Sequence, residues 1–410
     1  MRWHLKGLWD NGDFVKLWVG QTISNFGSGI TGIALPLTAV LVLAATPTQM
    51  GILSALDGAA VFVFGLVAGV WVDRLRRRPI LIVVDIGRAV LLGSIPLATL
   101  LGTLHLGQLY IVAGLTGVLT VFFNVAYESF LPSLISTEQL VEANSKLGMS
   151  DALAEIGGPG SAGALVQLLG APLTIGFDAL SFLLSALSIG VIRRYEPKPQ
   201  VDKQRQNIWR ESSEGLRMIR ENHLLRPLVI SAALFNFFGN FIGTLYVLYI
   251  VRDIHAPPPL IGFFIATGGV SALAGTLLAQ RVIRRIGVGM AIGGMLFLYG
   301  LTGLLLPLAQ GPLIVAATML FASQLMGDVS VAVYLIAEVS FRQAIIPNTL
   351  LGRVNASIQF LTQGIRPIAA ILAGILGSVI GLRLTIFIGV LGVIGAGAWV
   401  LFSPLRKVRS

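Results

Sequence analysis

The chain repeats one pattern along almost its whole length, in which apolar runs of about 20 residues alternate with short polar connections. An α-helix of that length crosses a hydrocarbon core of about 30 Å. Inside a bilayer every backbone N–H and C=O must be bonded internally, so such runs can span only as helices. The pattern predicts an all-α membrane protein with twelve transmembrane helices, near residues 14–44, 48–72, 79–102, 106–131, 145–170, 172–192, 226–251, 258–280, 288–309, 312–341, 353–378 and 381–403.

Composition excludes several other classes of protein. Only 12% of the 410 residues are charged and 55% are hydrophobic, whereas a soluble domain has about 25% charged residues. The chain has no cysteine, which excludes disulfides and thiolate metal sites. Its four histidines, His4, His105, His223 and His255, fall in termini or connections without catalytic or metal-ligand spacing. We therefore expect no enzymatic activity, no cofactor and no metal site.

The net charge of +10 would suggest a nucleic-acid partner in a soluble protein. Here the 29 Lys and Arg residues follow membrane topology instead. On one side of the predicted helices the connections hold only Arg252 and Arg383, and two more arginines, Arg88 and Arg366, lie within apolar runs. The rest lie on the other side. The positive-inside rule then predicts a multi-pass protein of a bacterial-type cytoplasmic membrane, with both termini cytoplasmic and no nucleic-acid partner.

A long charged connection divides the chain into two halves of six helices. The predicted domains are residues 1–192 and 226–410, joined by a cytoplasmic linker at 193–225. Apolar residues at roughly helical spacing among basic residues predict a short surface helix within this linker. These residues are Ile208, Trp209, Leu216 and Ile219.

The two halves resemble one another weakly. A displacement of 211 residues pairs Gly163 with Gly374 and Gly170 with Gly381. The matches fall at corresponding places along helices five and eleven, which suggests a parallel duplication. We expect two pseudo-symmetric six-helix bundles.

Polar residues inside the apolar runs are the main functional signal. An Asp at the bilayer centre costs about 2.5 to 3.5 kcal/mol, so such groups should face other helices or water. Most are spaced i, i+4, which places each set on one helical face. We predict that these faces line an aqueous substrate cavity, formed by Gln21, Asn25, Asn124, Asn236, Asn240, Gln324, Gln359, Gln363 and Arg366.

The intramembrane acids are candidates for proton coupling, because desolvation favours the protonated form of an unpaired carboxyl. The candidates are Asp57, Asp151, Glu155 and Asp328. Arg366 is either the counter-ion of one of them or an attractant for an anionic substrate. The alternative for the amides is interhelical hydrogen bonding without substrate contact, at about 1 kcal/mol or less.

Other charged residues are predicted to form structural or gating ion pairs near the cytoplasmic face. They are Asp85, Arg88, Glu128 and Glu338. For Asp178 on helix six, a packing role and a coupling role both stay open.

Two glycine pairs have the GxxxG spacing that is typical of close helix packing. They are Gly65 with Gly69, and Gly289 with Gly293.

The connection between helices two and three, Gly69-Val-Trp-Val-Asp-Arg-Leu-Arg-Arg-Arg78, resembles the signature loop of the major facilitator superfamily. It departs from that loop at Arg76, where the superfamily commonly has glycine. The same departure occurs in a subgroup of the superfamily that includes macrolide efflux proteins and the enterobactin exporter. The resemblance implies that Asp73 caps a neighbouring helix, and that Arg74 and Arg78 hold a cytoplasmic gate.

Helix five carries Gly158-Pro-Gly-Ser-Ala-Gly163, which is similar to the antiporter motif of proton-driven exporters. Two of the usual glycines are replaced, by Ala154 and Ala162. The same residues would also make a kinked, closely packed helix without any export function. Two further stretches, 131–144 and 342–356, resemble the same efflux subgroup.

These observations predict a secondary active transporter that works by alternating access. The first hypothesis is a proton-coupled exporter of an amphipathic small molecule, such as a drug, a macrolide or a siderophore-like compound, acting as a monomer in membrane lipid. A facilitator or importer of a polar metabolite is the alternative within transport. A non-transporting membrane sensor or scaffold is the alternative from another class.

Overall fold

The computed structural model describes residues 8–72, 74–193 and 216–408. These residues are almost entirely helical, and they include no strand. The first helix begins where the Asn11 side chain accepts hydrogen bonds from the backbone nitrogens of Asp13 and Phe14, both at 3.2 Å. The first-half helices are α1 (Gly12–Leu37, continued by a π-helical turn at Thr38–Val42), α2 (Pro47–Val72), α3 (Arg77–Leu100), α4 (Leu106–Leu134), α5 (Leu140–Leu169) and α6 (Ala171–Gly190).

The second half follows the same plan, with interruptions in two helices. Its helices are α7 (Leu225–Arg252), α8 (Pro258–Ile286), α9 (Val288–Gly303, continued by Leu305–Leu308), α10 (Leu313–Ile345), α11 (Asn348–Gly364 and Arg366–Val379) and α12 (Leu382–Leu401). Of the predicted linker helix, only residues from Leu216 onward lie in the described chain, where 216–221 are helical. Ile208 and Trp209 lie outside the described residues.

Eleven helices of the described chain are long and apolar enough to cross a membrane. The remaining long helix, α5, has 30 residues and so spans about 45 Å. It carries Glu142, Lys146, Asp151 and Glu155, which lower its hydropathy. The predicted all-α membrane fold is confirmed.

The predicted span near 353–378 corresponds to one apolar span, Leu350–Val379, which is interrupted at a single residue. Helix α11 breaks at Ile365, immediately before Arg366 and Pro367. Proline has no N–H to donate, and its ring displaces the carbonyl of the preceding turn. The second segment of the helix thus begins at Arg366.

The contacts of the described residues form two compact units. The first takes residues within Met1–Ala44, Ala59–Asp202 and Pro258–Ala266, and the second takes Ala45–Gly58, Lys203–Pro257 and Thr267–Ser410. The start of α2 therefore packs with second-half helices, and the start of α8 packs with first-half helices. This division differs from the predicted halves in those two segments.

Both exchanged segments are held by a close glycine crossing. In the first unit, a β-carbon on Gly262 of α8 would lie 2.9 Å from the nitrogen of Gly163 on α5. In the second, a β-carbon on Gly374 of α11 would lie 2.9 Å from the α-carbon of Gly51 on α2. The displacement of 211 residues that relates Gly163 to Gly374 also relates Gly51 to Gly262. The two crossings are thus equivalent: each joins one helix of the first half to one helix of the second half, at positions related by the same displacement.

The turns before α6 and α12 match in the same way. Gly170 has φ +85° and Gly381 has φ +90°, a region that favours glycine over residues with a β-carbon. Each glycine precedes the last helix of its half. The sequence match at this pair therefore reflects a shared backbone conformation.

The GxxxG expectation is correct for one pair and wrong for the other. A β-carbon on Gly293 would lie 2.9 Å from the Leu401 side chain, and Gly289 is in still closer contact with the Leu405 carbonyl. Around Gly65 and Gly69 no atom of another helix in the described chain lies within 4 Å of such a carbon. The spacing alone did not reveal whether a partner helix faces these glycines.

Candidate functional site

In the first unit, one predicted coupling acid meets two predicted cavity amides. Gln21 donates to the Asn25 side-chain oxygen at 2.8 Å along α1, and Asn25 donates to the Asp151 carboxylate on α5. Tyr127 of α4 is near enough to Asp151 to interact with it electrostatically. The Asp151 side chain is nevertheless exposed at the surface of its unit. The arrangement is an acid that is accessible yet held in position by a neutral donor.

The second unit contains a comparable group around Asp328. Gln324 donates to the Asp328 carboxylate one turn along α10. Tyr246 of α7 and Tyr299 of α9 both interact electrostatically with this acid. Helix α8 approaches it at Gly268, where a β-carbon would lie 2.5 Å from the Asp328 carboxylate oxygen. Only a glycine lets α8 pass this closely, so the acid is enclosed by four helices.

A third polar group, also in the second unit, joins α2 and α11. The guanidinium of Arg366 donates to the Gln363 side-chain oxygen at 2.9 Å, and its charge attracts Asp57. The helix break at Ile365 lies between the amide and the arginine. Whether Arg366 is the counter-ion of an acid or attracts an anionic substrate stays open at this point.

The other predicted cavity residues make different contacts. Asn236 donates to the Ala232 carbonyl oxygen of its own helix at 2.9 Å. Thr244 contacts both the Asn240 side chain and the Ser54 hydroxyl on α2 at 3.3 Å. Both amides therefore bond within α7, and the contact between α7 and α2 is made by the hydroxyls of Thr244 and Ser54. Three further candidates have exposed side chains: Asn124, Glu155 and Gln359.

Asp85 and Arg88 form the expected ion pair. They lie in the middle third of α3, where both are almost fully buried, at 0% and 4% exposure. The guanidinium of Arg88 lies between the rings of Phe123 and Phe182, 4.2 and 4.0 Å from their centroids. It also attracts the buried carboxylate of Asp178. The pair thus belongs to an interior cluster of the first unit, and its role in a cytoplasmic gate stays a prediction.

Glu338 and Glu128 differ from one another. Glu338 is 6% exposed and pairs with Arg342 at 3.1 Å, one turn further along α10. Glu128 on α4 is exposed. The Glu338 pair lies within a single helix, so it does not by itself connect two moving parts.

In the first turn of α3, Arg78 has defined contacts. Its guanidinium donates to the carbonyl oxygens of Ile189 at 3.2 Å and Gly190 at 2.6 Å. These are terminal carbonyls of α6, where a positive charge is favoured by the helix dipole. Arg74 is exposed, and Asp73 lies outside the described residues. The contact ties α3 to α6 within the first unit.

Sequence reasoning did not single out the tyrosines near the acids, Tyr127, Tyr246 and Tyr299, or the glycines that admit neighbouring helices, Gly27 and Gly268. Aromatic residues and glycines are common in membrane helices, so neither type stands out in an apolar run. Only the packing of one helix on another gives them significance.

Membrane-crossing helices with polar, hydrogen-bonded acids in both units define a polytopic membrane transporter. The chain belongs to the Major Facilitator Superfamily, because the family model matches residues 17–246, more than half of its length. This confirms the resemblance that the sequence motifs indicated.

Curated relatives fall in the same family. The chain is 26% identical to an uncharacterized MFS-type transporter, YfiS of Bacillus subtilis, over 92% of this chain and 87% of that one. It is 26% identical to macrolide efflux protein A of Streptococcus pyogenes, over 69% and 65%, and 24% identical to the enterobactin exporter EntS of Shigella dysenteriae, over 83% and 80%. The predicted resemblance to macrolide efflux proteins and the enterobactin exporter is therefore confirmed.

A solved structure supports the fold. The chain superposes with a TM-score of 0.76 on a bacterial homologue of the iron transporter ferroportin in its inward-facing state, covering 96% of this chain and 98% of that one. At 19% identity this likeness concerns the fold alone.

Proposed function

We propose that this transporter exports an amphipathic small molecule in exchange for protons, by alternating access in the cytoplasmic membrane. The observation that carries the proposal is the Asn25–Asp151 contact, in which a carboxylate on a membrane helix is both accessible and bound by a neutral amide. A neutral donor leaves the acid free to gain a proton, whereas a fixed cation would hold it ionised.

Asp328 is the matching candidate in the second unit. Its partner is again an amide, Gln324, and the chain provides tyrosine hydroxyls nearby on α7 and α9. Asp57 differs, because Arg366 attracts it. We therefore assign proton coupling to Asp151 and Asp328 first, and a substrate or charge-balancing role to the Asp57 and Arg366 group.

Similarity supports the direction and the substrate class. Two relatives are named for efflux of macrolides and for export of enterobactin, and both are large, partly apolar molecules. The glycine- and proline-containing segment of α5 is consistent with an exporter. It packs closely on both α1 and α8, since a β-carbon on Gly158 would lie 2.8 Å from the Gly29 α-carbon.

The test is transport by purified protein in liposomes. Radiolabelled erythromycin and ethidium are suitable probes, with and without an imposed pH gradient. We expect the gradient to accelerate transport of at least one probe, and Asp151→Asn and Asp328→Asn to weaken that dependence several-fold. Proton exchange would be refuted if the wild-type transport rate did not depend on the pH gradient. It would also be refuted if both variants kept the wild-type dependence. Counterflow of a polar metabolite without a gradient would favour the facilitator alternative.

A further inference from the structure

The interior cluster of the first unit has more acid than base. Asp85, Arg88 and Asp178 are 0%, 4% and 1% exposed. Two carboxyls therefore share one guanidinium, which is permanently charged. From the helices packed around them, the described residues contribute hydroxyls and aromatic rings but no further ionisable group: Thr31 of α1, Phe123 of α4, and Ser181, Phe182 and Ser185 of α6.

The charge count has a definite consequence. With both carboxyls ionised, the cluster carries a net charge of −1 in a dry site, which is strongly unfavourable. With one proton bound, the cluster is neutral. One oxygen can also hold that proton, because Asp85 Oδ2 is buried and not bound by Arg88, and the nearby Ser185 hydroxyl, which interacts with this carboxyl, can accept a hydrogen bond from it. Its other oxygen is paired with Arg88.

Helix α1 is shaped to admit the second carboxyl. A β-carbon on Gly27 would lie 2.5 Å from the Asp178 carboxylate oxygen, and closer still to the Ser181 hydroxyl. Ser181 donates to Asp178 at 3.0 Å. The Asp178 side chain therefore rests directly against the α1 backbone.

We propose that Asp85, Arg88 and Asp178 form a proton-binding site that carries one proton when neutral and exchanges it during transport. The proton belongs to the two carboxyls jointly, as in other closely coupled pairs. On release it passes to water and leaves one guanidinium facing two carboxylates. This inference rests on the proposed function for its role in transport, but proton binding itself does not.

The site is positioned to communicate with the Asp151 group through α1. Gly27 and Asn25 are two residues apart, so they face nearly opposite sides of this helix. Gly27 contacts Asp178 on α6, and Asn25 donates to Asp151 on α5. A change in the charge of the cluster beside Gly27 would act on α1, and Asn25 of α1 is the hydrogen-bond donor to the exposed acid Asp151 on α5.

Infrared difference spectroscopy tests the proton site without any substrate. Wild-type protein in liposomes is titrated with pH, in water and in deuterium oxide, and the C=O stretch of protonated carboxylic acids is followed. We expect a titrating band that disappears in both Asp178→Asn and Asp85→Asn, and that persists in Asp151→Asn. Each cluster variant keeps one carboxylate for Arg88, so a neutral ion pair remains and the protein should fold.

A second variant covers the case in which those proteins are unstable. Arg88→Gln removes the only positive charge, so the two carboxyls should both be protonated and the band should grow about twofold. A spectrum without a titrating band, or one that Asp178→Asn and Asp85→Asn leave unchanged, would overturn the proposal. A band that is present in a protein unable to transport erythromycin or ethidium would refute the exporter function while leaving the proton site in place.

Discussion

Gly163 on α5 and Gly262 on α8 cross so closely that a single β-carbon would bring the two backbones into conflict, and Gly374 with Gly51 repeats the contact in the other unit. Small residues at such positions let membrane helices approach at backbone distance. In this chain they fasten the two segments that each unit takes from the other half of the sequence.

Alanine at one of these crossings should destabilise the protein. In Gly374→Ala the added carbon would lie 2.7 Å from the Pro47 carbonyl oxygen, and we expect overpacking to lower stability by about 1 to 3 kcal/mol. Gly65→Ala on α2 is the matched control, because the space around Gly65 is open and alanine favours the helix by about 0.5 to 1 kcal/mol. Melting temperatures in detergent should therefore move in opposite directions. Equal shifts in the melting temperatures of the two variants would contradict the close helix packing at Gly374.

Removal of the Asn25 side-chain amide on α1 should weaken proton coupling while leaving the Asp151 carboxyl in place. Asn25→Ala removes the donor to Asp151, and we expect the pH-gradient dependence of transport to fall several-fold while the protein stays folded. Glu221→Gln is a suitable control, since its partner Arg217 is an exposed neighbour outside the spans, at 2.8 Å. If Asn25→Ala transports like wild type at every gradient, the Asn25 contact has no part in coupling.

Arg78 should stabilise the end of α6. Arg78→Ala loses both bonds to the terminal carbonyls, and we expect a loss of about 1 kcal/mol in thermal unfolding. Arg78→Lys keeps the charge but lacks the planar guanidinium, so its stability should lie between that of the wild type and that of Arg78→Ala. Arg74→Ala provides the comparison, because Arg74 is exposed. An effect of Arg74→Ala equal to that of Arg78→Ala would show that charge alone matters.

The connection after α7 should make stability depend on pH. Partial burial raises the pKa of Asp253 above its usual range, although Arg383, His255 and Arg252 oppose the shift. A raised acid pKa in the folded state means that stability is lost as the pH rises through that value. Asp253→Asn should remove this loss, and Arg383→Gln should enlarge it. Melting curves between about pH 4 and pH 8 measure both; a wild-type curve that is flat, or that rises with pH in this part of the range, would contradict the assignment.

The sequence by itself determined the features that depend on local pattern. Hydrophobic length predicts the spanning helices, and the i, i+4 spacing placed Gln21 with Asn25 and Gln324 with Asp328 before any coordinates were known. The orientation of the termini stays a prediction from charge. These features follow from periodicity and from the free energy of placing charge in lipid. Both can be evaluated for each segment from its own sequence, without knowing which helices it contacts.

Only the tertiary structure decided which helices meet. It brought Asp178 near Arg88, made close contacts at Gly163 and Gly374, and, among the described residues, left open space where a Gly65 β-carbon would lie. A polar residue or a glycine looks the same in the sequence whether it faces a partner helix or an open surface. Its role depends on which residue of another helix lies opposite, and that is set by the packing of the whole bundle.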